Sequence, residues 1–370
     1  MSSDFLSTLA AQGKKPDPKH GTPEWARELI EGHACDRFDV STPPPEVEPI
    51  LTLAEVPVLT PGNLAVLCGP TGTAKSHTCA AVMAAPIAPE PEDVDCLSWT
   101  ARNPGGKALV YLDFEQSKQD NFSLMKTACR RAGIEEPPAW LEAYNLTGMD
   151  PKQARVFIEA ALLYSKGKHG GTFLMILDGL ADLSQSVNDE LEAIQIVREL
   201  HALTIEHETG ILGILHLNPG SEFKTRGHLG SQFERKSETV LTLKRDSEDA
   251  ISIASHKARH APIPEGKGPR FQWDSEWGGF LSIESKSEAR RSATEAKAAQ
   301  LARDLFAIKD ALTFAEAVDR ISELTGAKIE TGAAKQRLAR LRSAGFVFVQ
   351  SGTGFYHLSA IAKQGENNHA

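Results

Sequence analysis

Residues 63–76 read NLAVLCGPTGTAKS, and this stretch decides the fold that we expect for the chain. An apolar run ends at a glycine, a turn rich in Gly and Thr follows, and the next residues, SHTCAAVMAA, suit a buried helix. A strand, a loop and a helix in this order are typical of an α/β protein whose loop cradles phosphate groups.

The loop GPTGTAKS (69–76) matches the pattern GxxxxGK[ST], except that Ala74 replaces the second glycine. If that position requires positive φ, alanine is strained there. We expect Lys75 to contact the β- and γ-phosphates of ATP and Ser76 to bind Mg²⁺. The predicted nucleotide-binding residues are Gly69, Pro70, Thr71, Gly72, Thr73, Ala74, Lys75, Ser76 and His77.

Further apolar runs alternate with helical patterns along the chain: KALVYLDFE (107–115), GTFLMILDG (171–179) and TGILGILHL (209–217). Continuous apolar character favours strands buried on both faces of a parallel sheet. The alternation predicts an α/β core with helices on both faces. After residue 217, short strands joined by tight turns predict an antiparallel extension of the same sheet.

Polar residues end three of these strands, where a nucleotide site needs them. Asp178 ends FLMILD and is the predicted Mg²⁺-orienting carboxylate. Glu115 is the preferred residue to orient the attacking water, with Asp113 as the competing candidate, because strand alternation places both on one side. His216 is the predicted sensor of the γ-phosphate.

This order of features resembles the RecA-like ATPase core over residues 50–285. The likeness is greatest to the RepA-type hexameric helicases of plasmids and to AAA ATPases of mobile elements and prophages, and more distant to DnaB-type ring helicases. The segment ISIASHKARHAP (251–262) is similar to the KxRxGP element of the ring helicases, although His260 and Ala261 depart from it.

The resemblance implies that Lys257 and Arg259 reach the γ-phosphate of a neighbouring subunit. Lys244 and Arg245, which end the preceding strand, are a second option, and a solvent-exposed basic hairpin is the alternative to both. The resemblance also implies that 218–234, expected to be a long loop, faces a central channel and binds single-stranded DNA through Lys224, Arg226 and His228. Only Phe223 and Phe233 are aromatic there, so contact with the DNA backbone is expected rather than base stacking.

The C-terminal segment 301–362 predicts three helices and a hairpin that turns at SGTG. This pattern resembles a winged helix, a module that binds DNA or docks on proteins. Its third helix carries the predicted DNA-binding residues Lys335, Arg337, Arg340 and Arg342. The remaining divisions are a flexible arm at 1–50, the core at 51–285, a linker helix at 286–300 and a disordered tail at 363–370.

Composition bounds these hypotheses. The 370 residues are 41% hydrophobic and 24% charged, which argues against wholesale disorder, and five cysteines without CxxC spacing argue against a disulfide scaffold. The net charge is −9, and because residues from Lys286 onward carry 13 basic and 9 acidic side chains, the acidity lies in 1–285. We find no apolar stretch of membrane-span length and expect a cytoplasmic protein.

Together these features predict an ATP- and Mg²⁺-dependent enzyme, an ATP hydrolase that forms a homo-oligomer, expected to be a hexameric ring. It would translocate on or unwind single-stranded DNA during replication of a plasmid, phage or mobile element. A primase or initiator protein is a possible partner, and no membrane partner is expected. The alternatives are a recombinase-like repair ATPase that forms filaments and a nucleotide-switched DNA-binding regulator without motor activity.

Overall fold

The computed structural model describes residues 20–217, 225, 227–284, 286–327, 329 and 333–363, without the side chains of 286–293 and 363. The chain divides into two units, residues 1–47 and residues 48–370. The helices are α1 (Pro23–Gly32), α2 (Lys75–Ile87), α3 (Lys118–Arg131), α4 (Pro151–His169), α5 (Glu190–Glu206), α6 (Gly227–Lys236), α7 (Lys286–Leu305), α8 (Phe314–Thr325), α9 (Ala333–Ser343) and α10 (Ala360–Lys363). The strands are β1 (Leu51–Leu53), β2 (Val56–Leu59), β3 (Asn63–Gly69), β4 (Trp99–Thr100), β5 (Ala108–Asp113), β6 (Leu141–Asn145), β7 (Thr172–Asp178), β8 (Gly210–His216), β9 (Thr239–Arg245), β10 (Ile251–Ala258), β11 (Arg270–Asp274), β12 (Gly279–Ile283), β13 (Val347–Val349) and β14 (Tyr356–Leu358).

A nine-stranded sheet in the order β12-β11-β10-β9-β3-β8-β7-β5-β6 forms the centre of the larger unit. The strands from β9 to β6 pair in parallel, and β9 to β12 pair antiparallel. The predicted α/β class, with a mostly parallel sheet, is therefore confirmed. A separate three-stranded sheet, β2-β1-β4, is not predicted, because strands of two to four residues leave too little periodicity to detect.

Helices cover both faces of the large sheet. On one face, α2 and α3 pack on the strands, and α2 is buried on almost every side, as its apolar sequence requires. On the other face, α4, α5 and α6 pack on the same strands. Glycine at position 213 of β8 is needed for this packing, because a Cβ there would collide with the side chain of Leu180.

The prediction of a continuous loop over 218–234 is wrong in its second half, because α6 begins at Gly227. Leu229 and Phe233, one helical turn apart, are buried in the core, and Thr225 Oγ1 donates to Glu234 Oε1 at 2.6 Å. Burial of Phe233 removes it from the aromatic side chains available to DNA, whereas His228 is exposed on α6. Lys224, Arg226 and Phe223 lie outside the described residues.

The C-terminal module consists of α7, α8, α9 and the β13-β14 hairpin around a hydrophobic core of its own. The first helix differs from the prediction, because α7 runs unbroken through the predicted boundary at residue 300 and ends at Leu305. It ends there because Phe306 and Leu312 turn back into the core, where the Leu312 N–H donates to the carbonyl of Tyr356 at 3.1 Å. Of the predicted tail, 364–370 lies outside the described residues.

The N-terminal unit contains α1, whose start follows from its sequence. Thr22 caps the helix by accepting a hydrogen bond from the N–H of Trp25, and Pro23 occupies the first turn. No residue of α1 is buried, although its apolar residues lie on one side. Among the described residues, no helix combines the length and hydropathy that crossing a membrane requires.

Candidate functional site

The loop between β3 and α2 has the backbone geometry that its sequence demands. Ala74 adopts φ 57° and ψ 34°, in the left-handed region, and Gly72 adopts φ +80°. The position that the motif reserves for glycine therefore does require positive φ, and alanine there carries about 1 kcal/mol of strain. The helix starts at Lys75, so the free N–H groups of its first turn lie next to the loop.

Lys75 is buried at the base of this loop, with 8% of its surface exposed. Its Nζ donates to the carbonyls of Gly69 at 3.0 Å and Pro70 at 2.9 Å. Burial lowers the pKa of the Lys75 ammonium, and the charges of Glu115 and Asp178 oppose that shift. The side chain therefore brings a cation, anchored to the loop, into a site that also holds the carboxyl groups of Glu115 and Asp178.

The register of the parallel strands collects the predicted residues at one edge of the sheet. Gly69 of β3 lies opposite His216 of β8, and Asp113 of β5 lies opposite Asp178 of β7. A cleft of about 450 Å³ opens at this edge. Of the predicted site residues, its walls contain Thr71, Gly72, Ala74, Lys75, Ser76, His77, Glu115, Asp178 and His216.

Asp178 is held by two partners that the sequence analysis missed. Its Oδ2 accepts hydrogen bonds from the Tyr111 hydroxyl at 2.7 Å and from Gln116 Nε2 at 3.1 Å. Burial raises the pKa of Asp178 to about 6, with the Asp113 and Glu115 charges adding to the rise. The only signal for these partners is a tyrosine inside an otherwise aliphatic strand and a polar residue just after it.

Asp113 and Glu115 differ in what surrounds them. Asp113 is fully buried, and its carboxylate accepts from the N–H of Glu115 at 3.0 Å, the N–H of Gln116 at 2.9 Å and Asn121 Nδ2 at 2.9 Å. Glu115 instead lines the cleft. Asp113 thus shapes the turn after β5, and Glu115 is the carboxylate that a bound molecule can reach.

Glu115 and His216 form a pair at the edge of the cleft. Glu115 Oε2 lies 3.2 Å from His216 Nε2, and the side chains are 34% and 36% exposed. The hydrogen bond from His216 lowers the pKa of Glu115, although partial burial opposes it. An ionised carboxylate held in this way can accept a proton from a water molecule.

His77, the last predicted residue of the loop motif, lies in the first turn of α2. Its ring packs edge-on against Trp273, with ring centroids 5.8 Å apart, and against Phe280 at 5.1 Å. Burial lowers the pKa of His77, and the charges of Arg131 and Arg130 add to this effect. The cleft wall at His77 is therefore backed by two aromatic rings.

Lys257 and Arg259 lie at the opposite edge of the sheet from the loop. Lys257 Nζ donates to the carbonyls of Glu234, Arg235 and Ser237 at 2.7–3.0 Å, which stabilises the end of α6. Any contact of its ammonium with a neighbouring subunit would break these hydrogen bonds.

Arg259 is exposed and lies near the start of β3, where its Nη1 donates to Asn63 Oδ1 at 3.4 Å. The loop begins at the other end of β3, at Gly69, about 20 Å away for a strand of seven residues. Arg259 is therefore too far away to contact a phosphate group bound at the loop of its own chain.

The second option, Lys244 and Arg245, lies beside the loop of the same chain. Arg245 Nη2 donates to the carbonyl of Gly72 at 2.6 Å, and Lys244 Nζ pairs with Glu265 at 3.2 Å. Arg245 is therefore placed to hold the loop in its own chain.

No protein-family model and no curated protein matches this chain. The functional argument therefore depends on the cleft itself.

Proposed function

We propose that the chain is a P-loop ATPase with a RecA-like core. One observation carries the proposal: a loop with the phosphate-binding sequence and its buried lysine converges with Glu115, Asp178 and His216 on one cleft at the carboxyl ends of parallel strands. This is where α/β sheets bind ligands. The positive φ at Ala74 supports the assignment, because the motif places glycine at that position.

The roles follow from the positions. The N–H groups of the loop and the Lys75 ammonium bind the phosphates of ATP. Ser76 and Asp178 both line the cleft, and their oxygens are of the type that holds Mg²⁺ together with phosphate oxygens. A Mg²⁺ ion held there would neutralise charge on the phosphates. Glu115 orients and deprotonates the attacking water, and His216 holds Glu115 while facing the same cleft.

We further propose that the ATPase works as an oligomer, a DNA translocase or helicase of the RepA type. The exposed position of Arg259, far from the cleft of its own chain, supports a site completed by the next subunit. The C-terminal module resembles a winged helix in its element order, and Lys335, Arg337, Arg340 and Arg342 are all exposed on α9. These cations support contact with DNA by an otherwise acidic protein.

A filament-forming recombinase is the second candidate. The amphipathic α1 lies in a unit separate from the rest of the chain and buries none of its residues, which suits a segment passed to a neighbour. Electron microscopy of the protein with DNA and a non-hydrolysable ATP analogue distinguishes rings from filaments.

The test is ATP hydrolysis by Lys75→Ala, measured with Mg²⁺ and with or without single-stranded DNA. The control is Lys166→Ala, which removes an exposed lysine of α4. We expect the first variant to lose hydrolysis and the control to retain it. Hydrolysis that survives Lys75→Ala would refute the site, whereas hydrolysis that single-stranded DNA does not stimulate would favour the nucleotide-switched regulator.

A further inference from the structure

The C-terminal module carries a pocket of about 510 Å³ that shares no residue with the proposed ATP cleft. Its walls include two aromatic rings, two small or aliphatic side chains and two cations, which are Phe314, Tyr356, Leu338, Ala339, Lys335 and Arg342. The Phe314 and Tyr356 ring centroids are 6.1 Å apart and inclined at 44°. Phe314 is 49% exposed, so much of its ring is open to solvent.

The spacing of the α9 residues explains the shape of the pocket. Positions 335, 338, 339 and 342 repeat at helical intervals and therefore lie on one face of α9. Lys335 and Arg342 stand at the ends of this stripe, about 10 Å apart along the helix axis, with Leu338 and Ala339 between them. The pocket thus has an apolar floor with a cation at each end.

These cations have no ion pair or side-chain hydrogen bond with any residue that the structure describes. Other cations of the same module do have such partners: Lys309 Nζ lies 2.7 Å from Glu316, and Arg320 Nη1 lies 2.9 Å from Glu323. Within the part of the chain that the structure describes, Lys335 and Arg342 are therefore open to an anionic ligand.

We propose that this pocket binds one unpaired base of a single-stranded nucleic acid, with the flanking phosphates on Lys335 and Arg342. Phosphates flank every base of a strand, which matches a pocket with a cation at each end. Aromatic rings bind bases through their faces without selecting a sequence. The open side of the pocket leaves the polar edges of a stacked base in water, so they need no partner. This inference rests on the proposed contact of α9 with DNA, but the binding itself does not require ATP hydrolysis.

The experiment measures binding of a fluorescent oligothymidylate and of an abasic strand of equal length to the full chain without nucleotide. Phe314→Leu keeps an apolar side chain but removes the stacking surface. Phe348→Leu is the matched control, because Phe348 is equally exposed, at 48%, but stacks on His357 and does not line the pocket. Thermal unfolding checks that both variants fold.

We expect the wild type to bind oligothymidylate more tightly than the abasic strand. Phe314→Leu should weaken oligothymidylate binding about tenfold, the effect of losing one stacked base, and abolish the difference between the strands. Gln at both Lys335 and Arg342 should weaken binding of the two strands equally and reduce its salt dependence. The proposal fails if the wild type binds both strands equally, if Phe314→Leu and Phe348→Leu behave alike, or if an acidic peptide competes as well as oligothymidylate.

Discussion

The choice between Asp113 and Glu115 can be tested by separating stability from catalysis. Replacing Asp113 with alanine leaves three donors without an acceptor: the N–H groups of Glu115 and Gln116, and Asn121 Nδ2. Each buried donor without an acceptor lowers stability by about 1–3 kcal/mol. Removing the carboxylate also removes the cost of burying its charge, which offsets part of this loss. We therefore expect Asp113→Ala to lower the free energy of unfolding by about 4 kcal/mol.

Glu115 should behave in the opposite way. Among the described residues, its carboxylate accepts one hydrogen bond, from a His216 side chain that is 36% exposed. Glu115→Gln should therefore change the free energy of unfolding by about 0.5 kcal/mol or less. If Glu115 accepts the proton of the attacking water, the same variant should lower the rate of ATP hydrolysis about 10²–10⁴-fold.

Urea unfolding and steady-state ATP hydrolysis measure the two effects. Asp113→Asn is the informative control. The amide oxygen of the new side chain can still accept the two backbone hydrogen bonds, and the Asn121 amide can flip so that its oxygen accepts from the new NH₂ group. This variant should fold and keep its hydrolysis rate within about tenfold. A folded Asp113→Asn without hydrolysis, beside an active Glu115→Gln, would refute the assignment of Glu115.

Other predictions concern three separate parts of the chain. Lys257→Met should lower the free energy of unfolding by about 2 kcal/mol, whereas Arg259→Ala should leave this free energy unchanged but lower the rate of ATP hydrolysis. Mixing Arg259→Ala chains with Lys75→Ala chains should restore hydrolysis, because each chain then supplies what the other lacks. If mixing restores nothing, Arg259 does not act across subunits. Ala74→Gly should retain hydrolysis and full stability, but Ala74→Val should lower the free energy of unfolding by about 2 kcal/mol because a β-branched residue resists positive φ. Equal stability of the two variants would contradict the claim that the backbone is strained at position 74. Burial raises the pKa of Glu142, but hydrogen bonds, of which that from Lys168 is the strongest, outweigh burial and lower this pKa to about 2. The ionised carboxylate therefore stabilises the fold at pH 7, and the loss of stability in Glu142→Gln should shrink as the pH falls from 4.5 towards 2. A difference between wild type and Glu142→Gln that stays constant with pH would contradict this.

Much of the cleft could be predicted because its information is local. An apolar run that ends in a polar residue reveals both a buried strand and the position of its carboxyl end. Parallel pairing then brings Asp178 and His216 to the same edge of the sheet as the loop. The surroundings of Asp113 were not predictable, because alternation along a strand gives the side of a residue but not what packs there. Tyr111 and Gln116 likewise became visible only with neighbouring strands in place.

The region after β8 was predicted poorly for another reason. Polar and glycine residues dominate 218–234, so Leu229 and Phe233 gave too weak a helical signal to reveal α6. Lys257 was interpreted from a sequence likeness, but the carbonyls that it binds belong to the end of a helix that had not been predicted.

Gly69 and Arg259 lie near opposite ends of β3, and under the proposed function this bears on how the rate of ATP hydrolysis must be measured. If residues of two chains form one site, an isolated chain has an incomplete site. Dilution that dissociates the chains would then remove activity while each chain stays folded. The rate per chain would then rise with protein concentration until assembly is complete. A single specific activity at one concentration would describe the assembly equilibrium as much as the chemistry.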